Sequence, residues 1–168
     1  MLWTEGTEMR EKILTIIEKN SRIELAELAV MLGVEEVDII NELEAMESEG
    51  IICGYHTLID WEKTSIEKTT ALIEVRVTPQ RGHGFDSIAE RIYQYPEVRA
   101  VYLISGGYDL LIIMEGKTLK EIATFVSDKL STQESILSTA THFILKKYKE
   151  HGTILGKKST DERMQITP

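Results

Sequence analysis

The sequence predicts an α+β protein in two parts: an N-terminal winged helix-turn-helix, then a ferredoxin-like βαββαβ domain that pairs with a second copy into a dimeric α/β barrel-like sandwich. Three observations carry this prediction. In the first 60 positions, apolar residues recur at helical spacing in three segments broken at Asn20-Ser21 and Gly33. From Ala71 the rhythm changes to period two, and the two periods then alternate as strand, helix, strand, strand, helix, strand. Finally, Leu110-Leu111-Ile112-Ile113-Met114 is apolar at every position, so that strand needs cover on both faces.

In chain order, Ile13, Leu14, Ile16 and Ile17 form the stripe of a first helix. A second begins near Glu24, with Leu25, Leu28, Ala29 and Leu32 spaced i, i+3, i+4, i+7 and Gly33 as its C-terminal cap. A third runs from Glu35 to Ser48, with Val37, Ile40, Leu43 and Met46 expected inward and Gly50 closing it. Residues Ile51 to Ile59 read as a short hairpin, the wing. This pattern describes a winged helix-turn-helix DNA-binding domain at 1–60, and fits a plain three-helix packing unit as well; the aperiodic stretch 61–68 is a linker.

In the second half, Ala71, Ile73, Val75 and Val77 alternate with more polar neighbours as a strand ended by Pro79. Phe85, Ile88, Ala89, Ile92 and Tyr95 form a helical stripe stopped by Pro96. Val98 to Ile104 is a strand, Ser105-Gly106-Gly107 turns the chain, and Tyr108 to Met114 returns. Leu119, Ile122, Ala123, Val126 and Leu130 make another helix, and Ile136 to Leu145 the last strand. This second domain occupies 69–150, followed by a polar tail at 151–168. A second sheet in a dimer, or the chain after residue 146, covers the outer face of the 110–114 strand.

The chain has 168 residues, of which 42% are hydrophobic and 28% charged, which excludes a disordered protein. No run approaches the roughly 18–20 apolar residues of a membrane span, so no membrane partner is expected. The first residues show no basic stretch leading into an apolar core, and Cys53 has no second cysteine to pair with, so a reducing cytoplasm is the expected location. The net charge of -9 is unevenly spread: residues 1–63 hold 5 Lys+Arg against 15 Asp+Glu, whereas residues 64–168 hold 14 against 13. The acidity therefore sits in the half expected to meet DNA.

Leu25-Ala26-Glu27-Leu28-Ala29 with Leu32-Gly33-Val34 resembles the helix-turn-helix scaffold of the Lrp/AsnC, or feast/famine, regulators. Residues Leu43 to Tyr55 are similar to the end of that family's recognition helix and its entry to the wing. Ser105-Gly106-Gly107-Tyr108-Asp109-Leu110 resembles its effector-domain turn, Val98 and Val101 the strand before it, and Ile136 to Thr141 its closing strand. The resemblance spans about residues 8–150 and rests on the order and spacing of these motifs together. It implies a transcription factor whose N-terminal domain binds DNA. The C-terminal domain would dimerise, assemble further to a tetramer or octamer, and bind a small-molecule effector, an amino acid above all, between subunits. It places Gly106, Gly107, Tyr108 and Asp109 in the effector turn, with Thr139 and Thr141 where the last strand approaches the pocket. The glycines also suit a plain hairpin turn.

The third helix departs from the family, whose recognition helices usually expose Arg or Lys. Glu35 to Glu49 holds seven acidic residues and no Lys or Arg. Phosphate neutralisation supplies most non-specific affinity for DNA, and carboxylates oppose it. The candidate DNA-contacting residues are Arg22, just before the second helix and within reach of a phosphate, Asn41, suited to adenine, and Glu36, Asp38 and Glu42, which suit cytosine N4. Such an acidic face is also consistent with a ligand-sensing or protein-interaction member whose DNA binding is weakened. Lys146, Lys147 and Lys149, with Lys157-Lys158 in the tail, touch nucleic acid or simply keep the surface soluble.

Catalytic signals are poor, and no enzyme activity is expected. His56, His83, His142 and His151 are scattered without metal-ligand spacing, and Gly82-His83-Gly84 and Gly106-Gly107 complete no phosphate-binding motif. The haem-pathway decarboxylases that share the family's plan carry a His- and Arg-rich pocket, whereas residues 98–116 contain no His and only Arg99. No metal or cofactor is expected beyond the effector.

Overall fold

The computed structural model describes residues 5–78 and 84–156. Pro79, Gly82-His83 and the lysines at 157 and 158 lie outside that range. The chain divides into two compact units, Met1–Leu58 and Ile59–Pro168.

The first unit holds α1 (Glu5–Lys19), α2 (Leu25–Leu32) and α3 (Glu36–Ser48) around buried Ile13, Leu28, Ala29, Ile39 and Met46. Gly33 ends α2 in the left-handed region at φ 69°, and the Val34 N–H donates back to the Ala29 carbonyl at 3.1 Å, so α2 stops and the chain turns into α3. The inward face of α3 differs from expectation. Ile39 is fully buried with Met46, Ile40 and Leu43 are half-buried, and Val37 is 58% exposed. Positions 37 and 39 lie about 200° apart on a helix, so only one can face the core, and isoleucine removes more apolar area from water than valine.

The expected wing hairpin does not form. Residues 51–59 form neither helix nor strand. Most of the segment is exposed and lacks the buried face that fixes a register. It is fastened to α3 by a side chain instead: the Tyr55 hydroxyl donates to Glu47 Oε1 at 2.8 Å. Burial first, and then this carboxylate, raises the Tyr55 pKa above its ordinary value.

In the second unit, part of the expected linker is ordered. Trp61–Lys63 forms a 3₁₀ turn, and the Lys68 ammonium stands 4.0 Å from the Trp61 ring centroid. The four main strands are β1 (Thr69–Val77), β2 (Val98–Leu103), β3 (Leu110–Gly116) and β4 (Ile136–Phe143). They form one antiparallel sheet in the order β2-β3-β1-β4, the ferredoxin-like arrangement. α4 (Asp86–Tyr93) and α5 (Leu119–Phe125) contribute Ile88, Ile92, Ile122 and Phe125 to one core with Ala71, Ile73, Val75, Leu110, Ile112 and Met114.

α5 is not the single regular helix that the spacing predicts. It opens into a π-helical turn at Val126–Leu130, closed by Ser131 N–H to the Val126 carbonyl at 2.8 Å. The wider turn brings Phe125 and Leu130, five positions apart, to the same core, and leaves Leu119 and Ala123 exposed. Phe125 meets Tyr95 edge to face at 5.0 Å. Beyond the sheet, β5 (Lys149–Glu150) and β6 (Thr153–Ile154) make a small hairpin that reaches into the expected polar tail.

Register assigns the faces. Ile73 lies opposite Ile112 and Thr141, and Val75 opposite Leu110 and Thr139, all toward the helices. Leu72, Glu74 and Arg76 alternate to the other face, opposite Ile113, Leu111, His142, Ala140 and Ser138. Leu111 and Ile113 are only half-buried on that uncovered face. No helix among the described residues is long and apolar enough to cross a membrane.

Candidate functional site

Two regions carry the expected functional residues, one in each unit. In the second unit, residues 104–109 link β2 to β3, and the Ile104 N–H donates to the Asp109 carbonyl at 2.8 Å across the base of the turn. The first strand holds this turn at three points. The Asp109 N–H donates to the Val75 carbonyl at 3.0 Å, and Asp109 Oδ2 accepts from the Val77 N–H at 2.9 Å. Arg76 Nε donates to the Gly107 carbonyl at 2.9 Å. Val77 lies beyond the last β1–β3 pair, Val75 with Leu110, so its N–H has no strand carbonyl on that side and the Asp109 side chain satisfies it.

Asp109 is thus a fastener of the turn through one carboxylate oxygen. Arg76 is a partner of the turn that sequence reasoning missed, 31 positions away and outside every motif. Asp109→Ala is expected to cost about 1 kcal/mol, because the half-buried Val77 N–H loses its acceptor, and Asp109→Asn should recover most of that. Urea unfolding of the C-terminal unit measures both.

Gly106 and Gly107 adopt no positive φ. A Cβ on Gly107 would meet nothing within 4 Å, and one on Gly106 only the Ile104 side chain, at an ordinary 3.6 Å. Neither backbone conformation nor packing within this chain requires glycine at either position. Both are exposed, whereas Tyr108 and Asp109 are half-buried. Thr139 and Thr141 are not brought to the turn. β1 stands between, and both threonines share the helix-covered face with Val75 and Ile73.

In the first unit, Arg22, Glu36, Asp38 and Asn41 are exposed. Arg22 lies in the turn before α2, its N–H donating to Asn20 Oδ1 at 3.2 Å. Glu36 and Asp38 sit in the first turn of α3, where carboxylates favour the helix dipole. Glu42, expected as a DNA contact, is committed elsewhere: Arg10 on α1 reaches its Oε2 at 2.6 Å and Glu49 Oε2 at 2.8 Å. The bond to Glu49, then that to Glu42, holds the Arg10 guanidinium further above its already high range. Arg10, one of few cations in this unit, is thereby neutralised within the fold, and Lys12 pairs with Glu8 at 2.7 Å.

Known proteins show the same organisation. The profile of the Lrp/AsnC ligand binding domain matches residues 70–154. The chain is 45% identical over 163 residues to an HTH-type transcriptional regulator of Bacillus subtilis, YugG, covering 96% of this chain and 98% of that one. It is 27% identical over 141 residues to the HTH-type transcriptional regulator LrpA of Pyrococcus abyssi, covering 83% and 97%. Among solved structures, a transcriptional regulator from Neisseria meningitidis in complex with L-Met superposes with a TM-score of 0.69 at 21% identity, over 89% of this chain and 94% of that one. AsnC of E. coli superposes at 0.66 with 22% identity, over 89% and 97%. A unit with α2 and α3 joined at Gly33, a second unit with a β2-β3-β1-β4 sheet, and likeness in sequence along nearly the whole length lead to one conclusion: this chain belongs to the Lrp/AsnC family of HTH-type transcriptional regulators.

Proposed function

We propose that this protein binds DNA through α2 and α3 and changes its assembly or DNA affinity when a small molecule, an amino acid, occupies the turn at Gly106-Gly107. The observation that carries the effector half is the pair of glycines that the chain itself does not need. Glycine there keeps room for something outside the chain to approach the main chain. The half-buried apolar face around Leu111 and Ile113 serves homodimerisation, and dimers assemble to a tetramer or octamer. The protein works in the cytoplasm, is not an enzyme, and needs no metal or cofactor. The ligand acts by binding one assembly state more tightly than another.

A second reading is favoured by one arrangement. α3 carries no cation, and the nearby Arg10 is occupied by Glu42 and Glu49, which leaves a regulator with weakened DNA binding that works through ligand or protein contacts. Gel shifts against the DNA upstream of its own gene, over a salt series, separate the two. Retardation at low salt and micromolar protein supports the first reading, and its absence supports the second. Mass in solution with and without each amino acid tests the effector half.

The glycines give a sharper check. Gly107→Ala is expected to change stability by less than about 0.5 kcal/mol while weakening effector binding. Gly33→Ala, forced into φ 69°, should cost about 1 kcal/mol and leave effector binding intact. Thermal melts with and without ligand read both.

A further inference from the structure

We infer that Arg76 is the carboxylate anchor of the effector, through its two terminal Nη nitrogens; this rests on the effector reading above. Arg76 projects from β1 on the uncovered face, opposite Ser138, at the end of the strand beside the Gly106-Gly107 turn. Its Nε is fixed by the Gly107 carbonyl at 2.9 Å. That bond restrains the guanidinium through Nε and leaves both Nη groups available as donors. Among the described residues, neither Nη has a hydrogen-bond or ion-pair partner, and the side chain is exposed.

An arginine oriented through Nε with a free Nη pair is shaped to take a carboxylate in two parallel hydrogen bonds. The open space at Gly107 lies on the same carbonyl-bearing residue, so a ligand can sit against the main chain and reach the guanidinium at once. Two residues back on the same face stands Glu74, with His142 Nε2 at 3.4 Å from its Oε1. The face therefore presents a cation and an anion in sequence, the pattern that a small zwitterion such as an α-amino acid complements.

The full-length protein is titrated with the twenty L-amino acids by calorimetry. The binders are then compared with their primary amides, which keep the ammonium and side chain but lack the carboxylate. Wild type should bind the acid roughly tenfold or more tightly than the amide. Arg76→Gln should weaken the acid to the level of the amide, so that the two become alike, and Arg76→Lys should restore part of the difference. A purely structural clamp on the turn would lower acid and amide equally and leave their ratio unchanged. An Arg76→Gln protein that folds and still discriminates at the wild-type ratio overturns the anchor while the effector reading stands. If the glutamine variant does not fold, the lysine variant decides by the same ratio, which must fall below that of wild type. If no amino acid binds wild type, the anchor and the amino-acid reading fall together.

Discussion

Ile39→Ala is expected to unfold the N-terminal unit and abolish DNA binding while the C-terminal unit stays folded. Ile39 is fully buried between α1, α2 and α3. Its truncation removes transfer free energy and leaves a cavity, together about 2–5 kcal/mol. A single small core rarely supplies more than about 3–5 kcal/mol of net stability, so one such loss consumes most of it. The C-terminal unit has its own core around Ile73, Ile112 and Ile92, which this substitution does not touch. Calorimetry should show one of two transitions lost, with effector binding retained. Val37→Ala on the same helix is the control: Val37 is 58% exposed, and its truncation should cost less than about 0.5 kcal/mol. Loss of both transitions in Ile39→Ala would mean that the two cores melt as one.

Glu36→Gln with Asp38→Asn is expected to tighten DNA binding about thirtyfold at low salt and to lower the stability of the reading unit. Both carboxylates are exposed on the first turn of α3, the end that approaches base edges in a helix-turn-helix complex. Each opposes phosphates at roughly 7 Å across a partly aqueous gap, about 1 kcal/mol apiece. The gain should shrink as salt screens it. The same two charges favour the positive end of the helix, so their removal costs about 0.3–1 kcal/mol each. Gel shifts at two salt concentrations and a thermal melt test the opposed signs. Unchanged affinity would place these residues away from DNA, as the second functional reading requires. Glu42 is left untouched in this design because Arg10 holds it.

Local signals proved readable where they depended on neighbours in sequence. The alternation at Ala71, Ile73, Val75 and Val77 became a strand buried on those positions, and Gly33 ended α2 as its place after Leu32 implies. The domain type and family were legible for the same reason, since their motifs lie in contiguous runs. What failed depended on partners far along the chain. The Ile51–Ile59 segment has hairpin-like composition but finds no strand to pair with. The choice of Ile39 over Val37 was settled by packing of α1 and α2, which helical spacing alone does not encode. Phe125 and Leu130, five positions apart, share the core because the helix widens from Val126, which i, i+3, i+4 spacing does not anticipate. At the candidate sites, Arg10 meets Glu42 and Glu49 across 32 and 39 positions, and Arg76 meets Gly107 across 31. No spacing rule finds such pairs. Thr139 and Thr141, assigned by likeness to a closing strand, lie on the helix-covered face with β1 between them and the turn of their own chain.

The bridge from Arg10 to two glutamates also couples the rigidity of the reading unit to the ionic medium. Added electrolyte shields this three-charge staple at the same time as it displaces protein from nucleic acid. The slope of a binding titration against electrolyte will therefore exceed the roughly 0.9 per contacted phosphate that counterion release alone gives, and Arg10→Met, which removes the staple, will bring it back toward that value.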